Sequence, residues 1–174
     1  MDFNNDSTRI IVCGKSASGI KGYEIFSVPD GGLLHSDYAF PQEGLTCRFS
    51  SSNNFAVGDR NGGIYYYASP NTSIWSYTPT GGAVIYGVAF TPNGSVLGSG
   101  WGGGGSKKNI FTFDPVSLNA SVLSYPGSND FKAVDYSPDG FTFASGDTGG
   151  NLRVHQISAA YNVTFSATGL GALN

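Results

Sequence analysis

The sequence predicts an all-β chain in which one four-stranded antiparallel unit is repeated four times. Three observations carry that prediction. Glycines number 26, with twelve Phe, ten Tyr and two Trp, while 12% of the 174 residues are charged. Turn formers set among β-branched and aromatic residues suit short strands. Two stretches then copy one another, FAVGDRNGGIYYYA (55–68) and FASGDTGGNLRVHQ (143–156). Finally, a constant step of 23 residues links the aromatic near the end of each third strand to the next first-strand aromatic, from Phe26 to Phe49, Tyr67 to Phe90, and Phe113 to Tyr136.

The first unit (about 1–40) holds DFNNDSTRIIVCG, GYEIFSV and LLHSDYAF, with Phe3 as the closing residue of a first strand that is mostly missing. In the second (41–79), Phe49 closes the first strand, SSNN turns the chain, and the 55–68 stretch and SIWSY follow. The third (80–126) reads VIYGVAF, SVLGSG, NIFTFD and ASVLSY, with TPNG as its first turn. The fourth (127–174) has Tyr136, the turn SPDG, the 143–156 stretch and NVTFSA. NND, SSNN, TPNG and SPDG are good turn formers at equivalent places. Successive anchors Phe3, Phe49, Phe90 and Tyr136 lie 41 to 46 residues apart. Four antiparallel strands at that period form a β-propeller blade, which buries its faces only by stacking on neighbours.

SPDGFTFASGDTGGNLRVHQ (137–156) resembles the WD-repeat β-propeller pattern, in which a Ser-Pro-Asp-Gly turn precedes a strand ending in small residues. The Asp between the second and third strands of that pattern falls on Asp59 and Asp147. The Trp-Asp pair falls on Phe113–Asp114, and on Phe26–Ser27, Tyr67–Ala68 and His155–Gln156 in the other units; no Gly-His pair occurs. The resemblance therefore implies a divergent member, or a neighbouring propeller family, acting as a non-enzymatic scaffold for protein partners.

Four blades leave ring closure open between three routes. The chain closes on itself with GLGALN helping the first blade, two chains join head to tail as a homo-oligomer, or further blades of a longer polypeptide complete the ring. Unpaired strand edges favour such joining. A secreted, glycosylated structural protein whose four-blade units assemble is the alternative function. Five sequons serve it, at Asn5, Asn71, Asn93, Asn119 and Asn162. The opening MDFNNDSTR has no basic segment followed by an apolar one, the pattern of a signal peptide. Cytoplasmic and extracellular placement both stay open.

The main departure from the repeat is SGWGGGGSKKN (99–109), read as a lengthened turn between second and third strands. Trp101 with Lys107 and Lys108 forms a candidate binding finger, since Trp anchors interfaces; Arg60, in the matching turn of the second unit, joins that set. GGGGSKK lacks the order of a phosphate loop. Asp59 and Asp147 read as turn-bonding residues rather than paired catalytic carboxylates or calcium ligands. His155 occupies an aromatic core position, His35 an outer strand, and Cys13 and Cys47 read as buried thiols. No catalytic residue, metal site or cofactor is expected, nor a nucleic-acid face, because basic residues are scattered and the net charge is −3. No apolar run is long enough for a membrane-spanning helix.

Overall fold

The computed structural model describes residues 1–19, 21–69, 72–77, 84–94, 97–102, 109–114, 120–124, 129–157 and 163–166. These residues form no helix and sixteen strands. The first sheet is β1 (Asp2–Phe3), β2 (Arg9–Lys15), β3 (Lys21–Ser27) and β4 (Leu33–Asp37); the second is β5 (Gly44–Phe49), β6 (Phe55–Asp59), β7 (Ile64–Ser69) and β8 (Thr72–Tyr77). The third is β9 (Val84–Phe90), β10 (Leu97–Gly102), β11 (Asn109–Phe113) and β12 (Ala120–Ser124); the fourth is β13 (Phe131–Tyr136), β14 (Thr142–Asp147), β15 (Leu152–Ile157) and β16 (Val163–Ser166). Each sheet is an antiparallel meander in chain order.

The turn between the first two strands is built alike in all four. The residue after the anchor, Asn4, Ser50, Thr91 or Ser137, accepts a backbone N–H from the third residue on: Ser7 at 3.0 Å, Asn53 at 3.0 Å, Gly94 at 2.8 Å and Gly140 at 2.9 Å. That third residue is left-handed each time, with φ of 57° at Ser7, 63° at Asn53, 72° at Gly94 and 75° at Gly140. Glycine and asparagine adopt this conformation readily, so Asn53, PNG and PDG are local instructions for the turn. At Ser7 the turn is held by Asp6, whose Oδ1 accepts the Thr8 backbone N–H at 3.0 Å and the Thr8 hydroxyl.

The first strand also repeats a β-bulge. Residues five before the anchor and three before it pair with consecutive partners, Gly44 and Thr46 with Asp59 and Gly58, Ile85 and Gly87 with Trp101 and Gly100, Phe131 and Ala133 with Asp147 and Gly146. A bulge adds one residue and turns the strand, so side chains switch faces there. The bulged residues of the third and fourth sheets meet, with Lys132 Nζ 3.0 Å above the Tyr86 ring.

Sheets pack face to face in chain order, chiefly through first and second strands: β2 on β5, β5 and β6 on β9, β9 and β10 on β13. Between the first and second sheets lies an aromatic core of Ile11, Tyr23, Ile25, Phe49, Phe55 and Tyr67. Phe55 and Tyr67 stack at 4.7 Å; the equivalent Phe143 and His155 stack at 4.4 Å in the fourth sheet. At the next junction Gly58 lies against Ile85. At the last, Gly87 admits the backbone of Ala133 and Val134, beside a cluster of Ile110, Phe131 and Phe143. Among the described residues no strand of the fourth sheet packs along the first sheet. The repeat is thus present as four stacked sheets, with no closed ring among the described residues.

Candidate interaction surfaces

Asp59 is fully buried at the turn between β6 and β7. Its Oδ1 accepts the backbone N–H of Asn61 at 2.8 Å and of Gly63 at 2.7 Å, and Oδ2 accepts the Tyr65 hydroxyl at 3.1 Å. Asp147 repeats the arrangement between β14 and β15, accepting from Gly149 at 2.9 Å and Asn151 at 3.1 Å, and from the Arg153 guanidinium at 2.7 Å. Burial pushes the Asp147 carboxyl up, yet the Asn151, Gly149 and Arg153 donors outweigh it and hold the group below the usual carboxylate range. Both side chains are spent on their own turns, and among the described residues no three His, Cys, Asp or Glu side chains gather in a way that holds a metal ion.

Arg60, exposed beside Asp59, is ion-paired with Glu43 and donates its backbone N–H to the Glu43 carbonyl at 3.1 Å. Its guanidinium therefore belongs to the bulge region of the second sheet, a different sheet from that of Trp101. Trp101 is not in a loop. The glycine-rich segment continues β10 through Gly102, and Trp101 pairs with Ile85 across the bulge. Lys107 and Lys108 lie outside the described residues, as do Asn71, Asn119 and Asn162.

His155 is buried, with Nε2 2.9 Å from the buried Ser145 Oγ. Burial, helped by the nearby Arg153 charge, lowers its pKa from 6.5 to about 4. A serine beside a histidine is the start of a nucleophilic pair, but both are sealed in the core, where no substrate reaches them. The folded imidazole stays neutral at pH values where an unfolded chain would protonate it. Stability from this residue is therefore complete above about pH 6.5 and is lost as pH falls towards 4. The loss amounts to at most about 3 kcal/mol. His155→Phe with Ser145→Ala is expected to flatten urea-unfolding stability across that window; an unchanged slope would assign it to other groups.

The thiols of Cys13 and Cys47 are brought together across the first junction, neither in a disulfide, with Cys47 Sγ 3.7 Å from the Ile11 carbonyl. The neighbouring Cys47 thiol, together with burial, pushes the Cys13 thiol up.

One concave surface was not legible from motifs. At the first-turn end a cavity of about 320 Å³ opens between the anchors Phe3, Phe49 and Phe90, rimmed by Asn5, Ser51 and Thr91. The turns that hold it are cross-braced: Asn4 Nδ2 donates to Asn53 Oδ1 at 3.1 Å, and Asp2 accepts the Phe49 N–H at 2.9 Å. Gly94 sits against Ser50, Ser51 and Ser52, and Gly140 against Pro92. The cavity lining mixes three aromatic anchors with hydroxyl and amide groups, and its exposed surface is more polar than apolar. Among the described residues no helix is long and apolar enough to cross a membrane. No family model matches the chain, and no curated protein matches it.

Proposed function

We propose that the chain is a divergent WD-repeat-like β-propeller element, a non-enzymatic scaffold that presents its first-turn end to protein partners. The observation that carries this reading is one turn repeated in all four sheets, three copies of which enclose the Phe3–Phe49–Phe90 cavity. A surface already fixed by packing loses little freedom on binding, which favours recognition by rigid display. Aromatic anchors set among hydroxyl and amide groups suit a partner side chain that is aromatic with a polar end, such as tyrosine. Peptides selected from a random library on the immobilised chain are expected to carry such an anchor. Phe3→Ala should weaken them about tenfold or more. Unaltered binding in that variant, with loss on replacing Trp101, Lys107 and Lys108 by alanine, would move the partner site to the glycine-rich segment.

A second reading, the glycosylated structural protein, draws on Asn5 and Asn93, which are both exposed on first turns. Asn5 also lines the cavity, so a glycan there would obstruct it. Native protein whose migration is unchanged by endoglycosidase would remove this reading.

A further inference from the structure

The two end faces of the stack are the separated halves of one repeated interface. In the second sheet, Ala56, Gly58, Ile64 and Tyr66 point toward the third sheet and are buried. Strand register assigns Ala144, Gly146, Leu152 and Val154 to the same positions in the fourth sheet. There Leu152 is 50% and Val154 41% exposed. A Cβ on Gly58 would lie 2.4 Å from Ile85, whereas one on Gly146 meets nothing within 4 Å.

At the other end the complementary half is open. Phe49, Phe55, Val57 and Tyr67 of the second sheet face the first and are buried. Their counterparts in the first sheet are Phe3, Ile10, Val12 and Phe26, of which Phe3 is 54% and Val12 38% exposed. Glu24 stands across from Val12 on the same face, so the open surface is apolar residues beside one carboxylate. Exposed apolar side chains grouped on a sheet face mark an interaction site.

We propose that a second copy of the chain covers both faces. The fourth sheet of each copy packs on the first sheet of the other, closing a two-chain ring of eight sheets. The proposal goes beyond the display reading; Phe3 is common to both, so the substitutions that test it are placed at Val12, Leu152 and Val154, outside the cavity. One chain carries the donor half at one end and the acceptor half at the opposite end, and no strand of one packs extensively on a strand of the other among the described residues. Such a joint is head to tail, and repetition closes a ring only when the rotation allows it. Two copies leave no apolar face uncovered, whereas an open filament leaves one at each end. Eight sheets lie within the usual range for closed rings of stacked four-stranded blades.

Native mass spectrometry and light scattering of the full chain test this directly. The expected particle has twice the 18.2 kDa chain mass. Leu152→Glu with Val154→Glu is expected to halve that mass, and so is Val12→Glu at the opposite end. All three residues are exposed in the single chain, so the far-ultraviolet circular dichroism of each variant should match wild type. Mixing the two monomeric variants supplies one intact joint, between the unaltered fourth sheet of one and the unaltered first sheet of the other. The dimer mass should then return. A wild-type monomer at both micromolar and millimolar concentration overturns the proposal and points to further blades of the same polypeptide as the occupant. A dimer that survives both sets of substitutions, or variants that fail to associate on mixing, also overturns it.

Discussion

Gly58→Ala is expected to destabilise the chain by about 3 kcal/mol, the upper part of the range for forcing a methyl group into a filled core. The added Cβ would lie 2.4 Å from Ile85 Cγ2 and 2.8 Å from Thr46 Cγ2. Neither neighbour can retreat easily, because Ile85 is fully buried and both lie on first strands at the junction between the second and third sheets. Replacing a strand glycine ordinarily gains about 0.5–1 kcal/mol by restricting the unfolded chain, so the clash must overcome that gain as well. Gly146 provides the internal comparison. It holds the equivalent position in the fourth sheet, where an added methyl has open space, and Gly146→Ala in dilute monomeric protein should be neutral or slightly stabilising. Urea midpoints check both. Ile85→Ala in the Gly58→Ala background should recover part of the loss, giving a favourable coupling energy between two residues in contact. Equal effects of alanine at Gly58 and Gly146 would mean that the sheets do not meet there.

Asp59→Ala carries the second large effect, also about 3 kcal/mol. The fully buried aspartate satisfies two backbone N–H groups and the Tyr65 hydroxyl in a turn whose Arg60 and Asn61 are exposed. Alanine strands all three donors, and each buried donor left without a partner costs about 1–3 kcal/mol. Part of that cost is relieved when water reaches the turn. Asp59→Asn keeps an acceptor oxygen for the two N–H groups and should lose about 1 kcal/mol. Thermal unfolding of the two variants separates this ordering from a merely surface role, which predicts no difference between them.

Much of the fold could be read from the sequence because its signals are local. A left-handed residue four positions after Phe49, Phe90 and Tyr136 needs only the right turn chemistry, and Asn53, PNG and PDG provide it. Ser7, four after Phe3, carries no such signal of its own. Anchor spacing and the Phe55–Tyr67 and Phe143–His155 pairs follow from strand register. The bulge was not legible, because Leu45, Tyr86 and Lys132 share no residue type. It is a backbone event, and any side chain fits it. The glycines that follow Trp101 suggest a loop, yet β10 continues through Trp101 and Gly102, since glycine does not forbid a strand when a neighbour supplies the ladder. Nor was the cavity visible, since its lining combines anchors from three sheets that only stacking brings together. The thiol pair is of the same kind: Cys13 and Cys47 lie on different sheets and meet across a junction.

Equivalent sheets stack in chain order through their first strands, and everything proposed above depends on that stacking. Nuclear Overhauser contacts in an isotopically labelled chain test it at every junction in one spectrum. Stacking predicts cross-peaks from Gly44 Hα to Cys13 Hβ, from Gly58 Hα to the Ile85 γ2 methyl, and from Gly87 Hα to the Ala133 Hα and Val134 amide. Strand-to-strand peaks within each sheet that appear without these three sets would contradict it.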